Sequence, residues 1–203
     1  MATAGVEDLV PLSWATANFV LPGNIRSGDL FVANVWRQGA LLAAIDGIGH
    51  GDEAHAAAQI ARSVLDSHPA EPLVTLVQRC HEVLRGTRGV VMSLVTIDVP
   101  HGLLSWLGVG NVRVLLVRSA DNTAPYQELM LRSGVVGAQL PRLESATLPF
   151  SQGDTLVFAT DGIHSDFADR ISTVIEPQVL ARNIMTGFCH GNDDALVLVA
   201  RLG

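Results

Sequence analysis

Two apolar runs each end on an Asp-Gly pair, and this pattern constrains the chain more than any other. In Leu41-Leu42-Ala43-Ala44-Ile45-Asp46-Gly47 and in Leu156-Val157-Phe158-Ala159-Thr160-Asp161-Gly162, a buried strand delivers an acid at its C-terminal edge. A third unit reverses the order, with Asn192-Asp193-Asp194 leading into the apolar strand Ala195–Leu202. Taken singly, Asp-Gly is a common turn dipeptide and Asp-Asp a common loop pair. Taken together, they bring several carboxylates to strand edges.

The rest of the chain supplies the elements that could gather those edges. Leu30–Trp36 and Ala40–Ile45, separated by Arg37-Gln38-Gly39, read as a hairpin. Asp52–Leu65 is alanine-rich, with apolar residues at Ala57, Ile60, Ala61, Val64 and Leu65, and reads as an amphipathic helix with Asp52 and Glu53 at its N-terminus. Pro72–Leu84 repeats the helical spacing. Val90–Asp98, Leu103–Val109, Val112–Arg118, Glu128–Leu131, Ala146–Phe150 and Thr155–Thr160 read as strands, Pro177–Met185 as a helix. The order lacks regular βαβ alternation, so the expected class is α+β: antiparallel sheets packed together, with helices outside. One domain over residues 1–203 is expected.

Composition narrows the function. Apolar residues make up 48% of the chain and charged ones 16%, enough to bury a sizeable core. The net charge is −7 and no arginine run tracks a phosphate backbone, so nucleic acid is not an expected partner. Cys80 and Cys189 lie far apart and read as reduced thiols. No apolar run is long enough to span a bilayer, and residues 1–11 lack the features of a signal peptide, so no membrane role and a cytoplasmic location are expected.

Converging carboxylates raise one another's pKa unless a cation joins them. Hard divalent cations take carboxylates, a backbone carbonyl and waters. Two such ions about 3.5–4 Å apart can bind a phosphate and activate a water for in-line attack. The segment Asp46-Gly47-Ile48-Gly49-His50-Gly51 has the glycine spacing of a phosphate-cradling loop but lacks a P-loop's Lys-Ser/Thr ending. There is no Gly-x-Ser-x-Gly elbow for an esterase. Asp46 also lacks a second acid two residues on, which argues against an aspartyl-phosphate mechanism.

These motifs resemble a known family. Asp46-Gly-Ile-Gly-His-Gly51, Thr160-Asp161-Gly162 and Asp193-Asp194-Ala195 stand in the order and spacing of the type 2C (PPM) metal-dependent protein phosphatases, and Ser27-Gly28-Asp29 is similar to the N-terminal acidic motif of the SpoIIE-like branch. The resemblance covers residues 18–203. It implies a four-layer α/β/β/α sandwich, two antiparallel sheets flanked by helices, and a protein serine/threonine phosphatase. It also implies two Mn2+ or Mg2+ ions, with Asp46 bridging both and the Gly47 carbonyl on one. Asp161 and Asp193 would complete the other site, Asp194 would replace Asp193 if the register slips by one, and Asp29 would bind directly or through water. Gly108–Arg113, Ser133-Gly134 and the compact length resemble the branch's small stressosome-resetting phosphatases, implying phosphorylated STAS-domain scaffold proteins as partners. The alternatives are a phosphorylated anti-anti-sigma factor as substrate, or a non-catalytic binding module.

Three residues keep two readings each. Arg26 stands three residues before Asp29, closer than the branch's phosphate-gripping arginine, and is either that arginine or a solvated turn residue. His50 and His164 flank the acidic motifs and are either general acids for the leaving seryl oxygen or polar rim residues.

Overall fold

The computed structural model describes residues 11–119 and 126–203. The strands are β1 (Leu12–Phe19), β2 (Asp29–Trp36), β3 (Gly39–Gly47), β4 (Val90–Asp98), β5 (Leu103–Val109), β6 (Arg113–Val117), β7 (Gln127–Glu128), β8 (Ala146–Pro149), β9 (Thr155–Ala159) and β10 (Ala195–Leu202). The helices are α1 (Asp52–Ser67), α2 (Leu73–Leu84) and α3 (Pro177–Phe188), with a 3-10 turn at Ser165–Arg170. One sheet runs β1-β10-β9-β6-β7 and the other β2-β3-β4-β5-β8, with antiparallel neighbours throughout.

Three apolar layers explain why the strands carry continuous rather than alternating apolar residues. Leu42 and Ala44 of β3 face the other sheet, meeting Leu156 and Phe158 of β9 and Leu198 of β10. Leu41, Ala43 and Ile45 point the opposite way, onto α1 and α2. On the far side Val157, Ala159, Val197 and Val199 meet Leu180, Ala181 and Ile184 of α3. Each sheet is therefore covered on both faces, and the four-layer α/β/β/α sandwich is the observed fold. Burying side chains such as Leu41, Leu42 and Ile45 is worth about 1.5–3 kcal/mol each. The inner face of α1 is built largely from Ala54, Ala57, Ala58 and Ala61, which lets its backbone lie close to the sheet.

Three details differ from the sequence expectation. β1 was not foreseen, because of its residues only Ala15 is buried, and Ser13, Thr16 and Asn18 break the apolar pattern. It holds by pairing along its whole length with β10. The strand expected at Glu128–Leu131 is a short ladder at Gln127–Glu128; after one more bond, from the Leu129 N–H to Val114 O, the chain crosses to the other sheet, where Arg132 bridges Val109. Ser165–Arg170 forms a 3-10 turn that buries Phe167.

Candidate metal centre

The fold brings the acidic motifs to one end of the sandwich. β2 and β3 pair so that Asp29 lies opposite Asp46. β9 exits into Asp161, and Asp193 precedes β10, which pairs with β9. A cleft of about 350 Å³ opens between these ends, and Asp46, Asp161 and Asp193 line it with Gly49, Asn111 and Ser133.

Burial makes the centre electrostatically uncomfortable. Loss of solvent, reinforced by Asp29, Asp161, Asp193 and Asp194, pushes the Asp46 carboxyl up to about 9. Burial likewise raises Asp29 to about 7, with a hydrogen bond from Thr160 opposing and Asp194, Asp161 and Asp193 adding to the rise. The Thr160 hydroxyl donates to Asp29 Oδ2 at 2.6 Å and accepts the Leu196 N–H at 2.8 Å. Asp161 accepts from Asn111 Nδ2 at 2.9 Å. None of the ion pairs among the described residues uses Asp29, Asp46, Asp161, Asp193 or Asp194. Asp154 is the contrast: as buried as Asp29, it is met by Arg118 at 2.8 Å and by the N–H groups of Ser119 and Ser151.

The two adjacent acids of Asp193-Asp194 have different surroundings. Asp194 is 3% exposed, and its two oxygens accept the Leu21 N–H at 2.8 Å and the Gly28 N–H at 2.7 Å. It ties both ends of the Leu21–Gly28 loop, the segment that leads into Asp29. Asp193 faces the cleft, and one of its oxygens accepts the Asp194 N–H at 2.8 Å.

Both Asp-Gly glycines are required by close approach rather than by a turn. A Cβ on Gly47 would lie 2.1 Å from the Ala54 carbonyl oxygen, and one on Gly162 would lie 2.1 Å from the Asp194 carbonyl oxygen. Neither glycine has a positive φ, whereas Gly49 and Gly51 do, at 88° and 78°. The Gly47 N–H donates to Gly28 O at 3.1 Å, which links β3 to the Asp29 loop.

A hard divalent cation fits this donor set: uncompensated carboxylates around an open cleft. No three acidic, histidine or cysteine side chains among the described residues form a ready-made cage. That openness suits Mg2+ chemistry, in which the ion keeps several waters and takes only one or two carboxylates.

Other candidate residues lie apart from this cleft. Arg26 is exposed and lines a neighbouring groove with Asp29 and His55. His50 is exposed and is not among the cleft's lining residues. His164 is exposed, and its ring stacks on His190 at 3.5 Å. Sequence reasoning assigned no role to Asn111, Ser133 or Thr160. The signal was present, because Asn111 and Ser133 sit in segments that carried the family resemblance, and Thr160 directly precedes Asp161.

Two antiparallel sheets between helices, with aspartates gathered at the strand ends, are the architecture of the type 2C metal-dependent phosphatases. Residues 37–203 match the family model for stage II sporulation protein E (SpoIIE). The phosphoserine phosphatase RsbX of Bacillus subtilis (strain 168) is 22% identical over 142 residues, 70% of each chain. A solved structure described as "The bacterial stressosome: a modular system that has been adapted to control secondary messenger signaling" is 31% identical, with a TM-score of 0.86 over 94% of this chain and 99% of that one. A crystal structure of RsbX in complex with magnesium superposes with a TM-score of 0.84 at 18% identity, covering 95% and 96% of the two chains. The chain belongs to the SpoIIE family, on the RsbX-like side of the metal-dependent protein serine/threonine phosphatases.

Proposed function

We propose that this phosphatase hydrolyses phosphoserine or phosphothreonine on phosphorylated STAS-domain proteins of a stressosome, in the cytoplasm. The observation that carries the chemistry is the meeting of Asp46, Asp161 and Asp193 at one cleft, with buried Asp29 opposite Asp46 on the adjacent strand. The substrate class rests on similarity to RsbX and to the stressosome structure.

In this reading Asp46, the Gly47 carbonyl, Asp161 and Asp193 would hold two Mn2+ or Mg2+ ions, and Asp29 would support Asp46 from the adjacent strand. When bound, the ions supply positive charge for the phosphoryl oxygens and lower the pKa of water. The chain's own groups then act by position. Asn111 fixes the rotamer of Asp161, Thr160 holds Asp29, and Asp194 holds the loop before it. Asp194 is assigned to this positioning role and Asp193 to the cleft. In this reading the attacking group is water rather than a protein side chain, so no covalent enzyme intermediate would form.

The test is phosphate release from a purified phosphorylated STAS-domain protein, run beside a phosphorylated anti-anti-sigma factor at equal concentration. Faster turnover of the scaffold protein is expected, and a clear preference for the anti-anti-sigma factor would reassign the substrate.

A further inference from the structure

We propose that Arg88 grips the phosphoryl group of the substrate at the rim of the cleft, from the loop before β4. The inference rests on the phosphatase reading above and adds a substrate contact to it.

A phosphoryl dianion calls for a directed N–H donor, and arginine supplies the strongest geometry. The cleft-lining residues include no basic side chain, and the chain contains no lysine: all 13 of its Lys and Arg residues are arginine. Two arginines next to cleft-lining segments are committed to other partners, and a third lies on a different groove. Arg113 places Nε and Nη2 on Glu128 and Nη1 on Ser165 O. Arg132 is paired with Glu144, and Arg26 lines a groove that shares no residue with the cleft.

Arg88 differs in two respects. It lines an adjacent groove with Glu53, Ala56 and Thr87, and its guanidinium lies over Gly49, a cleft-lining residue: a Cβ built on Gly49 would stand 2.6 Å from Nη1. Only half of its fork is used. Nε and Nη2 both reach Glu53 Oε2 at 2.5 Å, while Nη1 has no acceptor among the described residues. A side chain at position 49 would meet the guanidinium, so glycine there lets Nη1 sit against the cleft-lining loop.

The arm is also held in place. Glu53 belongs to the first turn of α1. The Ile48 N–H donates to Gly89 O at 3.1 Å, and the Gly89 N–H donates to Thr87 Oγ1 at 3.0 Å. The guanidinium is thus fixed relative to the glycine loop, yet its side chain is 49% exposed and reachable by a protein substrate.

The experiment measures steady-state kinetics on a phosphorylated STAS-domain protein with manganese, and inhibition by inorganic phosphate, for wild type, Arg88→Ala, Arg88→Gln and Glu53→Gln. Loss of one charge-assisted hydrogen bond predicts that both Arg88 variants raise KM and the phosphate inhibition constant about ten- to a hundredfold. kcat should stay within a few-fold. Glu53→Gln, which breaks the ion pair but keeps the arginine, should leave phosphate inhibition unchanged or stronger. Wild-type constants in both Arg88 variants overturn the proposal while the phosphatase reading stands. So does a rise in Glu53→Gln equal to that in Arg88→Ala, because the pair would then act only through structure. A wild-type protein inactive on every phosphoprotein overturns both.

Discussion

Asp29 faces Asp46 directly across the β2–β3 ladder, which sets two carboxylates side by side at the buried end of a sheet. Like charges in that position are destabilising, and burial multiplies the cost. Elsewhere the chain avoids it, since buried Asp154 has Arg118 beside it. The proposed metal centre is a place where the repulsion is left standing.

That repulsion predicts a pH dependence of stability. Asp29 and Asp46 have folded-state pKa values of about 7 and about 9, against 3.8 for the free side chain. The folded state therefore binds more protons than the unfolded state between about pH 4 and pH 9, and stability falls as pH rises through that window. Metal-free protein should melt several degrees higher at pH 5 than at pH 8. Manganese or magnesium should reverse the trend, and Asp46→Asn should flatten it. Thermal scans with and without a chelator check all three.

Asp46→Asn and Asp161→Asn should abolish turnover with little loss of fold, because each removes a charge from a site that opposes folding or is already solvated. Circular dichroism and phosphate release, measured on the same samples, check this. Activity retained by either variant would remove that residue from the centre.

The two residues of the Asp193-Asp194 pair should separate by phenotype. Asp193→Asn should weaken metal binding, read by calorimetry, with an unchanged melt. Asp194→Ala leaves the part-buried N–H of Leu21 and the buried N–H of Gly28 without acceptors and should cost about 2–6 kcal/mol, at roughly 1–3 kcal/mol for each orphaned donor. Chemical denaturation of metal-free protein measures it.

Gly47→Ala forces a methyl group onto the Ala54 carbonyl oxygen. Backbone must move, so α1 and the metal loop separate. The variant should lose both metal affinity and stability, by about 1–3 kcal/mol or more. A matched Gly187→Ala change, where a Cβ meets nothing within 4 Å and φ is likewise not positive, controls for the generic effect of adding a methyl group.

Much of this was legible in the chain itself. Val90–Asp98, Leu103–Val109 and Ala195–Leu202 were delimited to the residue, because each is a dense apolar run bounded by polar or turn residues. β1 was not, since an edge strand with a single buried residue leaves almost no hydrophobic signature and is stabilised by its partner strand. Asp46, Asp161 and Asp193 could be read as a group from their shared relation to strand ends. The division of labour between Asp193 and Asp194 could not, because it depends on amides 166 and 173 residues away in sequence. Arg88 was equally hidden: its importance comes from lying over Gly49, a relation that only the fold creates.

The most direct test of the account is phosphate release from a phosphorylated STAS-domain protein by chelator-treated enzyme, titrated with manganese and then magnesium. Release should be absent without metal, should rise saturably with added ion, and should stay absent in Asp46→Asn at every concentration. Release that persists in excess chelator, or that Asp46→Asn supports as well as wild type, would contradict a metal centre built on Asp46.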